Sequence, residues 1–236
     1  MARETRQDAR ARITAELMAA ARRQLAEVGA AGLSLREVAR EIGMVSSAVY
    51  RYVESRDELL TRLIVEAYDS LGEAAERAST EAATASPDDD LGRWMATAHA
   101  IRRWSLTHPH EHLLLYGSPV PGYAAPNDTV GPATRSTFAL VGIVADAAAA
   151  GRLAPTAGPP AGLSATFTDE LIELTTVLGR DMPPDPDGVL AVLTAWTQMF
   201  GLIGFEITNQ TRNVVHDHAA LFDATVRRLA HQIGLR

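Results

Sequence analysis

SLREVAREIGMVSSAVYRYVESRDELL, residues 34–60, decides how the rest of the chain is read. Ser34 is a natural N-cap, and Glu37, three residues on, is its capping-box partner. Leu35, Val38, Ala39 and Ile42 recur at helical spacing and define one inward face. Gly43 ends that helix, because the reversal after it is easiest for a residue that tolerates positive φ. A second short helix then turns Val49 and Val53 inward and leaves Ser46, Ser47, Tyr50, Arg51 and Tyr52 outward or at its margin. Ser55 with Glu58 opens a third helix as a second capping box. Two serines, two tyrosines and an arginine on a helix of barely two turns suit a helix pressed into a DNA major groove, where hydroxyls and guanidinium groups meet phosphates and base edges. A plain helical hairpin with a polar face has the same spacing.

Working outward, Ala20-Ala21 and Gly29 precede the stretch on a first helix whose apolar positions are Ile13, Leu17, Ala20, Ala21, Leu25 and Val28. Taken together, Leu17 to Leu60 resembles the DNA-binding domain of the TetR (tetracycline-repressor-like) transcriptional regulators. The motifs that carry the resemblance are Ser34-x-x-x-Val38-Ala39, Gly43, Ala48-Val49-Tyr50-Arg51-Tyr52 and Ser55-Arg56-Asp57-Glu58-Leu59-Leu60. The family more often has His-Phe at Tyr52-Val53 and Lys at Arg56. The resemblance implies an N-terminal helix-turn-helix reader (residues 1–58) and an α-helical effector-binding and dimerisation domain (residues 59–236). It also implies a connecting helix whose tilt transmits a change of state. In such a reader Ser46, Ser47, Tyr50 and Arg51 face the major groove, with Ser34, Arg36, Tyr52 and Arg56 nearer the phosphates.

The 236 residues, 47% of them hydrophobic, suffice for a substantial core in one or two domains. With no Cys, disulfides and thiolate metal sites are excluded. The N-terminus has no signal-peptide pattern, and no long apolar run stands out, so a soluble, cytoplasmic protein is expected. A formal charge of −7 argues against nonspecific coating of nucleic acid by the whole molecule. The charge is uneven, however: residues 1–60 carry ten Arg against nine acids, whereas residues 61–236 carry twelve Arg against twenty. Arg3, Arg6, Arg10 and Arg12 read as a basic arm that lies along phosphates or enters the minor groove, or else as a solvated tail.

Beyond residue 60 every apolar pattern has helical period, so the fold class is all-α. The helix from Ser55 continues through Leu71 towards Ser86-Pro87. The next holds Leu91, Trp94, Met95, Ala98, Ile101 and Trp104. His108-Pro-His-Glu-His112 puts His108 and His112 on one helical face and His110 elsewhere, which favours a His-rich helix start over a metal site. Gly117–Pro126 is a punctuated loop, similar to a GSPVPGY-type loop in one subgroup of the resembling family. Helices follow from Asn127 or Asp128 to Ala150, from Gly158-Pro-Pro to Gly179, from Asp185–Asp187 to Asn209, and from about Val214 to Ile233.

The helix at 187–209 is apolar nearly all round and must be covered on more than one side; with the last helix it is expected to form a two-fold dimer interface. The large side chains Trp94, Trp104, Tyr123, Phe138, Phe167, Trp196, Met199 and Phe200, with His99, Arg102 and Gln198 as polar groups, are candidates for an effector pocket gated by the Gly117–Pro126 loop. The partners implied are a near-palindromic double-stranded operator, a small-molecule effector and a second copy of the chain, with no cofactor, metal or membrane. An all-α enzyme using the histidines, or a small-molecule carrier, is the alternative. No nucleophile motif, metal quartet or glycine-rich phosphate loop signals the enzyme, and the carrier fails to explain residues 34–58.

Overall fold

The computed structural model describes residues 5–155, 163–177 and 186–236, and every regular element among them is helical. The expected helix start at Gly158-Pro159-Pro160, its end at Leu178-Gly179, Asp185 and Arg3 lie outside the described residues. In chain order the helices are α1 Arg6–Gly32, α2 Leu35–Glu41, α3 Ser46–Val49, α4 Arg56–Ala85, α5 Asp90–Thr107, α6 Pro109–Tyr116, α7 Val130–Ala149, α8 Ala165–Val177, α9 Pro186–Ile207 and α10 His218–Ile233. A single 3₁₀ turn, Asn127–Thr129, precedes α7.

Contacts divide the chain into two compact units. The first runs to Asp69 and takes in His108–Pro132; the second comprises Ser70–Thr107 and Ala133–Arg236. α4 therefore contributes its first half to one unit and its second half to the other.

The first unit is built on an apolar cluster of α1 (Leu17, Met18, Ala20, Ala21), Leu33, α2 (Leu35, Val38, Ala39), Val49, Val53 and the start of α4 (Leu59, Leu60, Leu63). Removing this much apolar surface from water, at roughly 25 cal/mol per Å², is what holds helices as short as α2 and α3, which would be unstable alone. α6 and the following loop belong here: Leu114, Val120 and Tyr123 pack against the same cluster, and the Tyr123 hydroxyl lies 2.9 Å from the Thr61 hydroxyl. Tyr123 and the Gly117–Pro126 loop, which the sequence pattern assigns to the effector domain, pack in this first unit, because the loop's apolar residues find their cover there.

The second unit is held by α5, α9 and α10, with α8 on α9. α9 is long and apolar enough to cross a membrane, with a hydropathy of 1.6 over 18 residues, but core helices pass the same test and α9 packs on three others. The last helix begins at His218, capped by the Asp217 carboxylate on the Ala220 N–H, and not near Val214. Asn209 and Asn213, at φ 57° and 68°, turn the chain through left-handed conformations before it. Ion pairs tie the second unit together. The Arg102 guanidinium of α5 grips Glu206 of α9 with two bonds of 2.8 and 2.5 Å and lies 5.4 Å over the Phe222 ring of α10. Arg152 makes a similar fork with the buried Asp90 at the start of α5, and those bonds push its guanidinium pKa up.

Candidate nucleic-acid interface and effector region

The reader is positioned by its surroundings. Ser34 accepts from the Glu37 N–H at 3.5 Å, but the return half of the expected capping box is absent: the Ser34 N–H is taken at 2.6 Å by the Gln24 carboxamide of α1, and Glu37 turns to Arg40. The second box is also half made. Ser55 Oγ accepts from the Glu58 N–H at 3.1 Å, while the Glu58 carboxylate reaches the Glu54 N–H and Arg62. Gly43, at φ 69°, makes the reversal between α2 and α3 with open space where a Cβ would lie.

α3 has a single regular turn, Ser46–Val49, with Val49 buried and Ser46, Ser47, Tyr50 and Arg51 exposed. Its N-cap, Val45, is 70% exposed, an apolar residue beside the hydroxyls that no motif in the sequence singles out. Arg36 is exposed on α2 and Ser34 is half-buried as a cap.

Two expected phosphate contacts are differently employed. The Arg56 guanidinium donates to the carbonyls of Leu33, Ala30 and Ala31 at 3.0, 2.9 and 3.1 Å, satisfying the open end of α1, which kinks at Gly29 (φ 71°, ψ 172°). Tyr52 is half-buried against the core cluster, with Arg10 5.8 Å above its ring. Arg10 also donates to the Arg51 carbonyl at 3.2 Å. From Arg6 onward the basic arm is helix, started by a Thr5–Asp8 capping box whose hydrogen bonds hold the Asp8 carboxyl below its usual pKa. Arg10 thus braces the turn that follows α3.

Among the other candidates, His112 is buried, and burial lowers its pKa to about 4, so it is neutral. It lies against Tyr116 at 5.1 Å, whose ring meets Tyr68 edge-on. Burial raises the Tyr68 pKa. His108 and His110 are exposed, and no group of three or more potential metal ligands occurs among the described residues.

In the second unit Trp94 is buried with its indole N–H on the Val226 carbonyl, 3.3 Å, and Trp104 donates to Ser70 Oγ at 2.9 Å. Both are core residues. His99 faces Asp223 at 3.2 Å and the Phe222 ring at 5.5 Å. Met199 is buried, Phe200 packs at 5.6 Å on Trp196, and Phe138 and Phe167 are half-buried. Gln198 is exposed. Arg102, spent on Glu206, is a structural cation.

A three-helix reader whose third helix and following turn carry hydroxyls and a guanidinium, followed by a separate helical unit, defines a helix-turn-helix regulator. Residues 17–63 match the family described as bacterial regulatory proteins, tetR family, and residues 94–229 match the tetracyclin repressor-like C-terminal domain. The chain is 42% identical over 232 residues to the HTH-type transcriptional regulator Rv1816 of Mycobacterium tuberculosis (strain H37Rv), covering 95% of this chain and 93% of the relative. It is similar in structure to a protein described as regulatory, SCO4313, at 32% identity and a TM-score of 0.72 over 96% of this chain and 99% of that one. It also shares its fold with the TetR family transcriptional regulator PfmR from Thermus thermophilus, at 14% identity and a TM-score of 0.58, over 90% of this chain and 97% of that one. The chain belongs to the TetR family of transcriptional regulators.

Proposed function

We propose that the chain is a cytoplasmic, non-enzymatic repressor that binds a near-palindromic operator as a homodimer and changes its operator affinity when a small molecule occupies the C-terminal helical unit. One observation carries the reading: Ser46, Ser47, Tyr50 and Arg51 stand exposed on α3 and the turn after it, a segment held by the buried Val49 and Val53 and by Arg10 on the Arg51 carbonyl. Such rigid display is what base reading requires, because positional error of about an ångström loses directional hydrogen bonds. Ser46, Ser47, Tyr50 and Arg51 read base edges; Arg36 and Ser34 meet phosphates.

Dimerisation uses α9 and α10. Phe205 is 56% exposed, on a largely apolar helix, and pairing it with its two-fold copy covers that surface. Two readers about 34–36 Å apart then match half-sites one helical turn apart. The effector acts by differential affinity for the free and DNA-bound forms. α4, whose two halves serve the two units, supplies the covalent route. Nuclease footprinting of the DNA flanking its own gene tests the proposal. Protection of two half-sites one turn apart is expected; the absence of any protected segment overturns the reading.

A further inference from the structure

Of the three tryptophans, two give their indole N–H to an acceptor, the Val226 carbonyl and Ser70 Oγ. The third, Trp196 on α9, has its Nε1 buried with no hydrogen-bond partner among the described residues, while part of its ring stays accessible. A buried indole N–H is ordinarily paired, and leaving one unpaired is costly enough that each case calls for a cause. Ser136 Oγ is also orphaned, but a hydroxyl on a helix can swing to the carbonyl four residues back. The indole donor is fixed to its ring and has no such escape.

What would satisfy it is constrained by the neighbours. Trp196 is flanked by Phe200, with ring centroids 5.6 Å apart. α8 packs on α9, and the charged residues of these two helices are all acidic: Asp169, Glu170 and Glu173 on α8, Asp187 and Glu206 on α9. Of these, Glu206 is already committed to Arg102. Asp169, Glu170 and Glu173 are exposed, and neither helix carries a basic residue to serve an anionic ligand as counter-cation, while a cation has no lone pair to offer an N–H.

We infer that Trp196 marks the effector site, and that the effector is an uncharged, mainly apolar molecule whose carbonyl-type oxygen accepts the Trp196 N–H while its body lies against Phe200. This rests on the reading that the C-terminal unit binds an effector. It adds the ligand's chemical class and the residue that selects it.

The test uses the full chain with ¹⁵N-labelled tryptophan, which gives three indole resonances, that of Trp196 being assigned by its loss in Trp196→Phe. The probes are acetophenone, cyclohexanone and γ-decalactone, each beside a hydrocarbon of matching shape (ethylbenzene, methylcyclohexane, decane), with benzoate as the anion. At least one carbonyl probe is expected to move the Trp196 resonance downfield and to bind roughly tenfold more weakly to Trp196→Phe, the loss of one hydrogen bond; the hydrocarbons bind wild type and variant alike, and benzoate leaves the resonance in place. If no carbonyl probe moves the resonance, or if Trp196→Phe binds those that do as tightly as wild type, the assignment is overturned. Operator binding, measured on the same samples, separates the two failures: a chain that holds operator but ignores every probe loses only this inference.

Discussion

The hydroxyls of Tyr123 and Thr61 lie 2.9 Å apart, joining the loop after α6 to the helix that follows the reader. Tyr123→Phe keeps the ring on the core cluster and removes this bond, so it should cost about 0.5–1.5 kcal/mol in urea unfolding. Tyr123→Ala also strips apolar cover from a half-buried site and should cost about 2–3 kcal/mol. Equal losses for the two would mean that the ring contributes nothing.

Arg56 and Arg51 lie five residues apart in sequence and should behave as opposites. Arg56→Ala removes the guanidinium from three carbonyls at the end of α1, of which that of Ala30 keeps the Leu33 N–H, and a loss of about 1.5–3 kcal/mol of stability is expected. Arg51→Ala removes an exposed side chain and should leave the melting temperature within about a degree or two, since surface changes are usually within ±0.5 kcal/mol. Thermal melts of the two variants decide this.

His112 makes stability depend on pH. Its folded-state pKa of about 4 lies below the unfolded value of 6.5, so the unfolded chain binds the proton first. The stability due to neutral burial is therefore complete above about pH 6.5 and is lost as pH falls towards 4, by up to about 3 kcal/mol. Chemical denaturation of wild type and His112→Gln between pH 7 and 4.5 should show a steeper acid loss for wild type. Parallel curves would contradict the burial.

Arg102 and Glu206, with side chains 16% and 14% exposed, form a pair that is costly to halve. Arg102→Ala strands the Glu206 carboxylate and should cost about 3–5 kcal/mol, whereas Arg102→Met with Glu206→Leu should recover most of it. A double variant no better than the single one would show that the loss lies in packing alone.

The legible parts of the fold are those fixed by local spacing. Leu35, Val38 and Ala39, the Gly43 reversal and Val49 with Val53 each announce themselves within a few residues, and all lie where the spacing puts them. The illegible parts depend on residues far apart in sequence. Nothing near Ser34 says that Gln24 will take its N–H, and nothing near Arg56 says that the carbonyls of Ala30 and Leu33 will claim the guanidinium before a phosphate can. The segment Gly117–Pro126 is recognisable as a loop, but its docking on the reader depends on Val120 and Tyr123 meeting a cluster whose members lie between Leu17 and Leu63. In the effector region, Trp94 and Trp104 read the same as Trp196 in sequence. What separates them is whether a carbonyl or hydroxyl from another helix reaches the indole nitrogen.

Operator affinity of the α3 variants tests the central claim most directly. In gel shifts on DNA flanking its own gene, the wild-type chain should form a discrete complex that weakens with salt. Tyr50→Ala and Arg51→Ala, folded as judged by their melts, should each lose about 1–3 kcal/mol of binding and discriminate less against altered half-sites. Wild-type affinity in both variants would contradict the assignment of α3 as the reading helix.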